Sequence, residues 1–221
     1  MRRTLVLLAF MWAPALVQSD EAAHFEGRVV VEWLDDNPFL PTMRIVQDFG
    51  FRQAEGRLWR VPGGTVLEGK SMPPLFRDRI GAPFEGSFRK SAVVYDYATQ
   101  SRGETWKDAQ RMFYEASVAE GVMPSEAKAM YLVLQAQGSR WEVVGSRCYG
   151  FCHGKSEPLI WRPMADDQRL AELLNWVRAS DPGLEEVEAR ARAAILDPGP
   201  HVFPQDRCRV YSGSTLVKVL C

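Results

Sequence analysis

A chain of 221 residues, 46% hydrophobic and 25% charged, has the composition of a folded globular protein. Its 27 basic and 28 acidic side chains leave a formal net charge of −1, which argues against a sequence-independent grip on nucleic acid. No segment after residue 19 is long and apolar enough to span a bilayer, so stable membrane insertion of a mature chain is not expected.

The first nineteen residues read as a leader. Met1-Arg2-Arg3 is basic, Thr4 to Val17 is apolar and uncharged, and Val17-Gln18-Ser19 sets permissive residues before Asp20. That is the order of a secretory signal peptide. The apolar run of about 14 residues falls short of the roughly 20 that an uncleaved anchor needs. No cysteine follows it directly, so a lipoprotein anchor has no attachment residue. The reading is export, with the mature protein in the periplasm or outside the cell.

Residues 25–34 alternate as a strand, with Phe25, Gly27, Val29, Val31 and Trp33 on one face. Asp35-Asp36-Asn37-Pro38 is a turn, Met43 to Phe51 a second strand and Arg57 to Val61 a third, reversing at Glu55-Gly56. Pro62-Gly63-Gly64 ends that strand, and the N-terminal part reads as one small antiparallel sheet.

Helices follow. Ser87 is placed to cap one through about Thr99, with Phe88, Ala92, Tyr95 and Thr99 on one face. Thr105 and Asp108 resemble a capping box, and Ala109, Met112, Phe113, Ala116 and Ala119 form the next stripe, which Gly121 ends. Pro124-Ser125 opens a third helix, with Ala129, Tyr131, Leu132 and Ala136 inward and Gly138 as its stop. Strands first and helices afterwards predict an α+β fold.

Residues 145–163 are rich in Gly, Cys and Pro and read as irregular. Two helices are predicted next, over about 166–179 with Leu170, Leu173, Leu174 and Val177 inward, and over about 182–196 with Asp181 as cap and Pro182 first. Arg207–Tyr211 and Thr215–Leu220 then flank a hairpin turn.

The four cysteines, Cys148, Cys152, Cys208 and Cys221, fall in the last third of the chain. An even count in an exported protein reads as two disulfides, and one between Cys208 and Cys221 would close the terminal hairpin. The rival reading is a zinc site from Cys148, Cys152, His153 and one distant cysteine. C-x3-C is not a usual zinc spacing, and export favours oxidation.

One stretch carries a motif. Val61-Pro62-Gly63-Gly64 is followed by Leu67-Glu68-Gly69-Lys70-Ser71-Met72-Pro73, then Tyr95-Asp96-Tyr97, then Asp108 on the next helix. The order and spacing resemble the bacterial and phage family catalogued as domain of unknown function 1353. Its members show V-P-x-G-F, T-D-G-x-S-x-P, a helix with H-D-Y and a helix opening R-x-x-A-D. The resemblance covers residues 25–137, after a leader at 1–19 and before a cysteine-containing extension at 141–221 without counterpart in it. Gly69, Ser71, Pro73, Asp96, Tyr97 and Asp108 fit the pattern. Leu67-Glu68 replaces Thr-Asp and Tyr95 replaces His, while Lys107 stands beside Asp108 where no arginine is clearly placed.

The resemblance implies no known activity, but it marks a candidate cleft. In the catalytic reading, Asp96, Asp108, Tyr95 and Ser71 form the reacting cleft, with Asp96 and a cation or a recruited histidine doing acid-base work, and Glu68, Asp96 and Asp108 hold calcium or magnesium. The Tyr95 departure weighs against it, because a phenol near pKa 10 does not replace an imidazole near neutrality. In the structural reading, Asp96 accepts hydrogen bonds from the backbone of the 68–71 loop, and Asp108 only favours a helix start. No resident cofactor is expected.

The remaining candidates are poorer. His24 reads as a mobile residue near the mature N-terminus and His153 as a loop residue, while His201, in a Pro-Gly-Pro-His loop, is the one remaining histidine that could fold back toward the cleft. G-x-S-x-G, H-E-x-x-H and a glycine-rich phosphate loop are all absent. The function expected is thus a divergent binding or structural module with a degenerate acidic cleft and a cell-envelope or extracellular ligand. A cell-envelope hydrolase is the alternative.

Overall fold

The computed structural model describes residues 22–34, 42–142, 159–199, 209–212 and 215–218. The leader, the four cysteines, His153 and His201 lie outside them. The architecture is α+β, as the order of strands and helices predicts.

The N-terminal strands form two small antiparallel sheets rather than one. Strand β1 (His24–Glu26) pairs with β4 (Phe49–Arg52), which pairs with β5 (Leu58–Val61). Strand β2 (Val31–Trp33) pairs with β3 (Met43–Ile45), which pairs with β6 (Val66–Leu67). Each long strand expected from alternation is therefore broken in two. The first break follows Gly27, whose φ of +80° side chains rarely adopt, and a Cβ there would sit 3.0 Å from the Asp48 carbonyl. His24 is not a loose end; it lies in β1 opposite Arg52.

Helix α1 (Pro74–Arg79) was not legible in the pattern, being six residues long. Helices α2 (Arg89–Ser101), α3 (Trp106–Glu120) and α4 (Pro124–Gln137) follow. Thr105 caps α3 by accepting from the Asp108 amide, and Gly121 closes it at φ +100°. Phe76, Phe88 and Phe113 meet edge to face at 5.6, 6.0 and 6.4 Å, joining α1, the start of α2 and α3.

The cap expected from Ser87 is not made. Phe88 is the N-cap of α2, and it offers no side-chain hydrogen bond. Instead Glu120, from the end of α3, accepts from the amides of Lys90 and Ser91 at 3.0 and 2.9 Å and from the Ser91 hydroxyl at 2.8 Å. A carboxylate there also meets the positive end of the helix dipole. Glu120→Ala is expected to cost about 1–2 kcal/mol in equilibrium denaturation, whereas Ser87→Ala should change stability by less than about 0.5.

Strand β7 (Arg140–Glu142) pairs with β8 (Leu159–Trp161), so part of the segment read as irregular is sheet. After β9 (Met164–Ala165) come α5 (Asp167–Ser180) and α6 (Leu184–Ala193), then β10 (Ile195–Asp197), which pairs with β9. Asp181 does not cap α6. It terminates α5 in a left-handed conformation at φ +44°, and Gly183 precedes α6 without a side-chain cap. The hairpin of β11 (Arg209–Ser212) and β12 (Thr215–Lys218) forms as predicted.

Helix α4 lies at the centre. Every residue from Ala129 to Ala136 is buried, because α3, α5 and α6 all pack against it. A helix apolar nearly all round needs such complete cover. Leu170, Leu174, Val177 and Val187 of the C-terminal helices share one core with Ile45, Phe51, Val61 and Leu67 of the sheets. Among the described residues no helix is long and apolar enough to cross a membrane.

Candidate functional site

The loop after β6 faces the middle of α2, and Asp96 fills the contact. Its side chain sits on the buried face of α2, and the residue is 2% exposed. Oδ2 accepts from the amides of Glu68 and Gly69 at 3.2 and 3.1 Å, and Oδ1 accepts from the Ser71 amide at 3.2 Å. Both oxygens of the carboxylate are thus engaged by three backbone donors. This is the loop-pinning arrangement, with the charge held by converging N–H dipoles.

Gly69 makes the approach possible. It adopts φ +64°, and a Cβ there would stand 2.9 Å from Pro83 and 3.0 Å from Phe84. The Glu68 side chain does not turn inward; it pairs with Lys70. From the other side Arg162 closes the loop, donating to the Lys70 carbonyl and to the Ser139 hydroxyl at 3.0 Å. Burial holds the Arg162 guanidinium below its ordinary pKa, and the facing Tyr95 and Asp96 offset part of that shift.

Tyr95 is fully buried and packs on Phe113 at 5.3 Å between ring centroids. Its hydroxyl, the Ser71 hydroxyl and both ends of the Gln110 amide have no hydrogen-bond partner among the protein atoms described. Burial pushes the Tyr95 phenol far above the ordinary tyrosine value. Gln110 and Arg162 pull it down without reversing the shift, while Asp96 adds to it. A neutral, enclosed phenol is a poor general base.

Tyr95→Phe is expected to leave stability at pH 7 unchanged or raise it by up to about 1 kcal/mol, since it removes a buried group without a partner. A phenol that ionises near pH 10 unfolded, and higher when folded, keeps its full contribution below about pH 10. That contribution is lost as the pH climbs toward the folded value. Denaturation at pH 9 and 11 should therefore show a smaller alkaline loss in Tyr95→Phe than in the parent chain.

Asp108 stands elsewhere, at the exposed start of α3. It accepts from the Thr105 hydroxyl at 2.7 Å and lies 3.8 Å from Arg57. Among the described residues no group of three His, Cys, Asp or Glu side chains is arranged to hold a metal ion. The structure therefore brings Ser71, Tyr95 and Asp96 together with the 68–71 backbone, and leaves Asp108 and the Glu68 carboxylate outside. Arg162 and Gln110 complete the surroundings. Neither was visible in the motif, because Arg162 lies 92 residues beyond the carbonyl it holds.

Residues 43–134 match the model of the family described as protein of unknown function (DUF1353). The resemblance carried by the Gly69, Ser71, Asp96 and Asp108 pattern is borne out over that segment.

Two uncharacterized proteins of Sinorhizobium fredii (strain NBRC 101917 / NGR234) are similar to this chain. The protein y4jT is 37% identical over 140 residues, covering 62% of this chain and 40% of its own length. The protein y4iH is 33% identical over 103 residues, covering 46% and 43%. The chain thus spans under half the length of the curated relatives it matches. No solved structure matches significantly.

Proposed function

We propose that this chain is an exported, non-catalytic binding module in which the family motif builds the fold rather than performing chemistry. One observation carries the reading: both oxygens of the Asp96 carboxylate are occupied by the amides of Glu68, Gly69 and Ser71. A carboxylate so engaged has little left to offer a cation or a substrate. The enclosed Tyr95 in the family's histidine position supports the same reading. The basic, apolar and permissive zones of residues 1–19 support export.

The test has two arms. N-terminal sequencing of the native protein should find a start at or near Asp20, and an intact Met1 in a cytosolic fraction contradicts export. The purified chain should not turn over lipid, peptide or glycan esters and amides, with or without calcium. Turnover that disappears in Asp96→Asn but survives in Ser87→Ala overturns the non-catalytic reading.

A further inference from the structure

Away from the 68–71 loop, a cavity of about 690 Å³ lies between α3, α4, α6 and β10. That volume is typical of small-molecule sites. Four cationic side chains line it, Lys107, Arg111, Arg140 and Arg192, against the two carboxylates of Asp108 and Glu188.

The carboxylates are already engaged. Asp108 accepts from Thr105, and Glu188 accepts from the Tyr131 hydroxyl at 2.9 Å. Arg111 is paired with Glu115 at 3.2 Å. Arg140 and Arg192 are different: neither has a carboxylate partner among the described residues. Arg140 stacks over the Trp106 ring at 4.6 Å and donates through Nη2 to the Gln135 carbonyl at 3.0 Å. Its Nε is buried without an acceptor. The Arg192 side chain makes no hydrogen bond or ion pair among the described residues. Its place in the last turn of α6 suits the helix dipole but supplies no counter-charge.

We propose that this cleft binds a small oxyanion carrying two or more negative charges, a polyphosphate or a polycarboxylate. Guanidinium groups offer planar, paired donors that match phosphate and carboxylate oxygens, and Lys107 adds a point charge at the cleft wall. Burial and the charge of Arg192 both hold the Arg140 guanidinium below its ordinary pKa, the electrostatic signature of two cations facing one space. The inference rests on the binding-module reading and names the ligand chemistry. It assigns no role to the 68–71 loop, so the two can fail separately.

Calorimetric titration of the full chain with inorganic pyrophosphate and, separately, with citrate is the test. Saturable binding of at least one is expected, weakening as ionic strength rises from 50 to 300 mM. The stronger arm identifies the source of the oxyanion. Arg140→Gln with Arg192→Gln should weaken binding by about tenfold or more, and exposed Arg79→Gln, on α1 and outside the cleft, should not.

If the double variant folds poorly, Arg192→Gln alone should leave the melting temperature unchanged while weakening binding about threefold. Glu188→Gln keeps an acceptor for Tyr131 but removes a negative charge, and should tighten binding. Equal affinity in the arginine variants, or no binding of either probe by the parent chain, overturns the assignment. Neither result touches the Asp96 reading, which is measured by stability.

Discussion

Asp96→Ala should lower the stability of the folded chain by about 3 kcal/mol in equilibrium denaturation. The substitution strands the amides of Glu68, Gly69 and Ser71 in a buried contact, and each unsatisfied donor costs about 1–3 kcal/mol before the loop relaxes. Relaxation toward solvent recovers some of that sum, because the loop is at the edge of the core rather than at its centre. Asp96→Asn should lie between the two proteins. Its one carbonyl oxygen can still accept, but its NH₂ faces an amide donor where Oδ1 or Oδ2 stood.

Gly69→Ala should be comparably damaging, again by about 3 kcal/mol. A non-glycine residue at φ +64° costs about 1–2 kcal/mol, and the added methyl would press within 2.9 Å of Pro83 and 3.0 Å of Phe84. Both substitutions displace the same loop. Their effects should therefore fall short of additivity by at least about 1 kcal/mol in a double-mutant cycle. Additive losses would mean that Asp96 and Gly69 stabilise different things.

What could be seen in the sequence follows the range of each signal. The start and end of α3 were legible because Thr105, Asp108 and Gly121 act within a turn of the residues they cap. The loop contact was legible as one of two alternatives, since Gly69 and Asp96 keep the family spacing. The cap of α2 was not. Ser87 has the right chemistry beside the helix, but Glu120 supplies the acceptor from 30 residues away.

Asp181-Pro182-Gly183 misled for a related reason. Asp caps helix starts and also tolerates the left-handed conformation at helix ends, and only the packed positions of α5 and α6 decide between the two. The cationic cleft was hidden altogether. Lys107, Arg111, Arg140 and Arg192 are scattered along the chain, and only the packing of α3, α6 and β7 brings them to one cavity.

The central claim is that Asp96 holds backbone rather than a cation or a reacting group. It is tested most directly by the unfolding free energy of Asp96→Asn against the parent chain, in chelator and again with millimolar calcium. A carboxylate kept for catalysis or metal binding usually strains the apo fold, so neutralising it leaves stability unchanged or raises it. A loop-pinning Asp96 gives the opposite sign: Asp96→Asn less stable by about 1–2 kcal/mol, with the same difference in chelator and in calcium. An Asn variant as stable as the parent or more so, or a parent chain that calcium stabilises only while Asp96 is present, would contradict it.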